Sequence, residues 1–157
     1  MNDMTRQHAV VDLYSRYAES ICDGHIDQWP EFFTEKCLYR LVPRTNHDRG
    51  LRIDPMFAES KGALKDRVTA ISETLVYAAR SLTHTVSGAR IVEVDGDIVR
   101  ARSMLSVYQT LVDGNTRLQL VGRTFDTIDT SGPAYLFSER LVVFDTELLA
   151  GALVFPV

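Results

Sequence analysis

Apolar residues fall at Val10, Leu13, Tyr14, Tyr17 and Ile21, at the three- and four-residue spacing that lays one stripe along a helix from residue 4 to about 22. Arg6, Asp12, Arg16 and Glu19 take the opposite, wet side. Asp23-Gly24 predicts the stop, because glycine readily adopts the left-handed backbone found at helix ends. A short second helix is predicted next, capped by Asp27 with Pro30 in its first turn, and Trp29, Phe32 and Phe33 gather on its inward side. Thr34-Glu35-Lys36 reads as a polar turn, followed by a strand over 37–42 that Pro43 ends. Residues 44–58 hold Asn46, Asp48, Gly50 and Pro55 with little periodicity and read as a long loop. Ser60 is placed to cap a third helix, in which Leu64, Val68, Ile71 and Leu75 repeat at spacings of four, three and four and which ends near Ala79.

The pattern then changes from helical to alternating. Thr, Val, Ile and Tyr dominate, and turn pairs recur at Asp95-Gly96, Asp113-Gly114 and Ser131-Gly132-Pro133. Four strands are predicted near 82–94, 97–112, 115–129 and 134–145, and connections this short join antiparallel neighbours in a meander. Strands of such length require a strongly twisted sheet, and Gly88 and Gly122 are candidate bends or bulges. Helices first and a meander after them describe an α+β domain over 1–157. Its N-terminal helices cover the concave face of a strongly curved antiparallel sheet, which makes the whole a cone. The apolar run from Leu148 to Val157 is expected to meet a partner subunit, the other reading being that it folds back onto its own sheet.

At 157 residues the chain is long enough to bury a real core, about two-thirds of its unfolded surface. A net charge of -4 with dispersed basic residues argues against nucleic acid as a partner. The polar N-terminus lacks the apolar region of a signal peptide, and no window is apolar enough for a membrane span, so a cytoplasmic protein is expected. Cys22 and Cys37, without C-x-x-C spacing, read as small buried hydrophobes.

Chemistry is sparse in the sequence. His8, His25, His47 and His84 lie on different predicted elements, with no pair at metal-ligand spacing. The two cysteines have no neighbouring histidines of the kind that a two-histidine, two-cysteine iron–sulfur centre needs. Hydrolase, P-loop and dinucleotide fingerprints do not occur. What remains is acid–base chemistry inside the cone, from a pocket lined by Tyr14, Tyr17, Tyr39, Asp12 and His84, where burial would move pKa values toward working pH. That set describes a free-standing isomerase or dehydratase. Its structural counterpart is a set of core tyrosines with satisfied hydroxyls, beside a hydrogen-bonded His84. Asp66-Arg67 reads as a solvated or interfacial ion pair.

Three runs together resemble a known family: Asp27-x-Trp29-Pro30-x-Phe32-Phe33-Thr34-Glu35-x-Cys37-x-Tyr39-Arg40, then Asn46-x-Asp48-x-Gly50-Leu51, then Glu59-Ser60-Lys61-Gly62-x-Leu64-x-Asp66-Arg67-Val68. With a Thr83-His84 strand start and a closing Val143-Phe144-Asp145, the chain resembles the small (β) subunit of bacterial aromatic-ring-hydroxylating dioxygenases. Within that family it is similar to the aromatic-acid branch of salicylate hydroxylase, anthranilate and terephthalate dioxygenases. The resemblance implies a cystatin-like, nuclear-transport-factor-like cone and a hetero-oligomer, commonly of three large and three small subunits. It also implies that the large (α) subunit carries the Rieske 2Fe-2S cluster, the mononuclear iron and the substrate pocket. Electrons would come from a reductase, with or without a ferredoxin, and this chain would hold no catalytic, cofactor-binding or metal residue. Trp29, Phe32 and Phe33 are then expected to plug the cone, with Tyr39 and Arg40 leading outward.

Overall fold

Helix α1, Asp3–Cys22, turns Val10, Leu13, Tyr14, Tyr17, Ala18 and Ile21 into the protein, the stripe that the spacing predicts. The structure, a computed structural model, describes residues 3–74, 78–146, 149 and 153–157. Gly24 ends α1 with φ +79°, as the left-handed stop requires. A 3₁₀ helix, Ile26–Phe32, follows. The residue before it is His25, so Asp27 lies within the first turn and is not the cap. Pro30 is tolerated there because the tighter helix has few backbone donors to lose.

Strand β1, Phe33–Pro43, begins earlier than the alternation suggests. The polar residues expected to form a turn are an irregularity inside the strand, where the register against its neighbour slips between Phe33 and Leu38. Thr34 Oγ1 donates to the Lys36 carbonyl at 2.8 Å and closes that bulge. The expected loop over 44–58 contains two short elements, α2 (Arg44–Asp48) and β2 (Met56–Ala58). Elements of five and three residues carry less than two periods of any pattern, so sequence spacing could not reveal them. Ser60 caps α3, Lys61–Thr69, its Oγ accepting from Ala63 N at 3.1 Å, and the helix widens into a π turn over Ala70–Thr74. The expected continuation through Leu75 lies outside the described residues.

The long strands are β3 (Arg80–Asp95), β4 (Ile98–Leu111), β5 (Thr116–Asp129) and β6 (Leu136–Phe144). They form the expected antiparallel meander, within one six-stranded sheet ordered β2-β1-β6-β5-β4-β3. One pair departs from the antiparallel rule, since β1 runs parallel to β6. This pairing joins the first strand to the last, and it sets the aromatic start of β1 against β6, with Phe33 opposite Phe137. Gly88 is a true bulge, with φ +60° and a register shift between Ser87 and Arg90. Gly122 is a close approach instead, because a Cβ there would lie 2.8 Å from Phe144 Cα and against the Val143 carbonyl.

The described end of the chain folds back, which corrects the expected subunit contact. Val154, Pro156 and Val157 are buried within the same chain. Tyr17 Oη and Tyr39 Oη donate to the Val157 carbonyl at 3.0 and 3.1 Å, and Tyr39 Oη accepts from Val157 N. Arg67 Nη2 reaches the Leu153 and Val154 carbonyls, at 3.3 and 3.0 Å, instead of pairing with Asp66. The physical reason is that the tail fills the open end of the cone, where its apolar surface finds the rings of β1 and α1. Leu149 is half-buried against the same core, whereas Leu148 and residues 150–152 lie outside the described set.

Candidate functional site

The interior of the cone is a lattice of edge-to-face rings. Trp29 lies 5.2 Å from Tyr39 and 6.0 Å from Phe33, and Tyr17 lies 5.6 Å from Phe137, all near perpendicular. Such pairs favour the positive ring edge against the negative ring face. Trp29 Nε1 donates to Tyr17 Oη at 2.9 Å, so its one polar atom is satisfied. Trp29 and Phe33 are fully buried, and Phe32 is half-buried against Tyr17 at 5.5 Å. The plug is as expected, but Tyr39 belongs to it. Cys37, Tyr39 and Leu41 share the inward face of β1, and only Arg40 leads outward, to Asp54 at 2.8 Å. The period-two rule explains this, because Tyr39 stands two residues from Leu41 and from Cys37.

Behind the rings lies a buried ion pair. Arg140 on β6 meets Asp126 on β5 at 3.2 Å, with both side chains at 0% exposure. The Tyr14 hydroxyl donates to the same Asp126 oxygen. The guanidinium lies 4.3 Å over Tyr17, 4.9 Å over Phe137 and 5.5 Å over Tyr14, positions in which the ring faces attract a cation. Burial pushes the Asp126 carboxyl above its usual range, with Arg140 and Tyr14 pulling the other way. Burial also raises the Tyr14 and Tyr39 phenols far above their ordinary value, so both remain donors. Arg140 Nε and Nη2 and Asp126 Oδ1 have no hydrogen bond of good geometry among the described residues. His84 is pushed down to about 4 by burial and then by the Arg140 guanidinium, against the pull of the Pro156 carbonyl. Its backbone N–H donates to Cys22 Sγ at 3.2 Å.

Of the candidate acid–base set, the structure gathers Tyr14, Tyr17, Tyr39 and His84 in the cone and leaves out Asp12, which pairs with Arg16 on the exposed side of α1. Asp126 stands where a base would. A substrate has no way to it: Tyr14, Tyr17 and Tyr39 are at most 1% exposed, Asp126 3% and Arg140 0%. Clefts lie on the outer surface, such as one of about 500 Å³ lined by Leu38, Arg40, Arg52, Asp54, Phe57 and Glu59. Groups that could share a metal gather in twos at most among the described residues. Cys22 sits beside His84, Cys37 is beside Lys61, and His47 stacks on Phe125, with no cluster of three or more metal-ligating side chains among the described residues. The histidines and cysteines therefore do not fit a Rieske cluster or a mononuclear iron.

Residues 16–150 match the family model described as the ring hydroxylating beta subunit. The chain belongs to that family. Over 156 residues it is 29% identical to the anthranilate 1,2-dioxygenase small subunit of Burkholderia cepacia, covering 99% of this chain and 96% of that one. It is 26% identical to subunit beta 2 of the terephthalate 1,2-dioxygenase terminal oxygenase component of a Comamonas species, covering 98% and 99%. A solved chain from Novosphingobium aromaticivorans, described as the beta subunit of an aromatic-ring-hydroxylating dioxygenase, superposes with a TM-score of 0.90 at 34% identity over 98% of each chain.

This ring-hydroxylating beta subunit is thus the non-catalytic part of an oxygenase assembled with a catalytic alpha subunit, and its fold is the nuclear-transport-factor-like cone. None of its helices, among the described residues, is long and apolar enough to cross a membrane. The residues that sequence reasoning missed in the beta subunit are Asp126 and Arg140. A signal existed, because Leu120, Thr124, Asp126 and Ile128 alternate inward on β5 and Arg140, Val142 and Phe144 do so on β6. A lone acid on one such face and a lone base on the next predict a buried pair.

Proposed function

We propose that this beta subunit stabilises the catalytic large subunit of a Rieske non-haem iron oxygenase acting on an aromatic acid, and that its single domain supplies no catalytic, cofactor-binding or metal-ligating residue. The observation that carries this reading is the sealed cone. The acid–base groups that a pocket enzyme of this fold would turn toward substrate are spent here on Trp29, Val157, Asp126 and Arg140. An isomerase or dehydratase needs an open cavity with converging polar groups, and rings fill that volume instead. The names of two relatives, anthranilate and terephthalate dioxygenase subunits, both carry an aromatic acid and support that substrate class. The assembly is a cytoplasmic complex of three large and three small chains, with the Rieske 2Fe-2S cluster and the mononuclear iron in the large chain. Its electrons come from a reductase, directly or through a ferredoxin.

Co-expression with a catalytic large subunit tests the reading. The two chains should co-purify near one-to-one, with iron and acid-labile sulfide in the complex and none in the isolated beta subunit. Turnover of any substrate by the isolated chain, or stoichiometric iron on it, would overturn the assignment.

A further inference from the structure

We propose that the outer face of β4 and β5, centred on Arg102, Arg123 and Phe125, is where an acidic face of the catalytic large subunit docks; this rests on the assembly proposed above. Strand register builds the patch. Arg90 lies opposite Arg102, Arg102 opposite Phe125, and Met104 opposite Arg123. Arg102 lies 5.2 Å over the Phe125 ring, and His47 stacks on that ring at 6.2 Å, so the central cation is held in place before any partner arrives. A depression of about 270 Å³ lies between Arg90, Arg102, Met104, Arg123 and Phe125, room for a protruding carboxylate side chain.

Three features say that this face serves something outside the chain. The first is the missing counter-charge. Exposed Arg16, Arg44 and Arg100 meet Asp12, Asp145 and Glu93. Among the described residues Arg49, Arg52 and Arg117 meet no acid, but Arg90, Arg102 and Arg123 are brought side by side by strand register and still meet no carboxylate within ion-pair distance. Acids are not scarce in a chain of net charge -4. The second is the like-charge pair Arg90–Arg102, directly opposite across two strands, an arrangement that costs folding stability. The third is exposed apolar surface on the same two strands, Met104 at 61% exposure beside Arg123 and, further along, the opposed pair Tyr108 at 38% and Leu118 at 48%. Arginine with methionine and aromatics is the composition of interface centres. A two-fold contact with a second copy would set these arginines against themselves; a head-to-tail contact between copies would not, and the self-association arm of the test below separates it from the proposed occupant, an acidic surface of the large chain.

The test uses the co-expressed complex, with R102E/R123E as the charge-reversed beta subunit and K36E as a reversal at an exposed lysine on β1. Wild type and K36E should bind the large subunit with equal affinity that falls as salt rises. R102E/R123E should bind at least tenfold more weakly and lose most of that salt dependence, while its isolated chain melts no lower than wild type. R102Q/R123Q, which removes charge without adding any, serves if the reversed chain does not fold. Equal assembly of all variants would overturn the proposal, as would equal weakening by K36E. Loss of self-association by the isolated chain, with assembly intact, would assign the face to a second copy. Failure of the wild type itself to bind a large subunit would refute the proposed function, and the docking surface with it.

Discussion

Replacing Arg140 with Met isolates what the buried polar cluster contributes. The substitution keeps an unbranched apolar side chain over Tyr17 and Phe137 but removes the only cation beside Asp126 among the described residues. An uncompensated carboxylate in a dry site is the penalty, and breaking a buried pair from one side costs about 3–5 kcal/mol. That is a large share of the roughly 5–15 kcal/mol that holds a domain folded. Arg140 makes one good hydrogen bond to Asp126 and leaves Nε and Nη2 without one, so the intact pair returns little beyond its own desolvation. Removing both charges should therefore cost less than removing one. In D126L/R140M the Tyr14 hydroxyl loses its acceptor, worth about 1–3 kcal/mol, and the triple variant Y14F/D126L/R140M also removes that orphan. The expected order of stability is wild type close to the triple variant, then the double, then R140M lowest. Urea unfolding followed by the fluorescence of Trp29, the single and fully buried tryptophan, reads this directly. A loss below about 0.5 kcal/mol in R140M, the scale of an ordinary surface change, would refute the argument, as would a triple variant no better than R140M. A stable variant whose assembled oxygenase has a changed substrate profile would show that the cluster takes part in the chemistry.

Two further outcomes follow from single residues. His84 has a native pKa near 4 against about 6.5 unfolded, so on acidification the unfolded chain binds the proton first, and stability falls as pH drops between those values. The wild type should lose roughly 3 kcal/mol across that window through this residue, a contribution that His84→Gln removes; an unchanged stability slope between pH 6.5 and 4 in the variant would contradict the assignment. Gly122→Ala puts a methyl group against the Val143 carbonyl and the Phe144 Cα, backbone atoms that cannot swing away. Calorimetry should show a cost of about 1–3 kcal/mol, near 2–4 °C of Tm per kcal/mol for a chain of this size, and an unshifted Tm would mean that β5 and β6 separate freely.

Local pattern and tertiary pairing divided the information unevenly. The α1 stripe, the Gly24 stop, the Ser60 cap and the four long strands were legible, because each depends on neighbours within a few residues. The Trp29–Phe33 plug was legible for a related reason: so many large rings in so short a run have to be covered. Of the candidate acid–base set, the three tyrosines and His84 were placed in the cone as expected. Asp12 was not, since its position on the helix is one step off the buried stripe and Arg16 one turn on offers it a partner in water.

What sequence by itself determined, then, is the order and type of the long elements and the inward side of most of them. Tertiary structure alone decided that β1 lies parallel beside β6, that Tyr39 faces in to hold Val157, that the apolar tail seals its own cone, and that Asp126 takes Arg140 and Tyr14 as partners. The reason is range. Periodicity reports which side of an element is dry, but Tyr14 and Asp126 are 112 residues apart and Tyr39 and Val157 are 118 apart, so only strand order and register could bring those atoms together. The same register left Arg90, Arg102 and Arg123 together on the outside, with no carboxylate within ion-pair distance among the described residues.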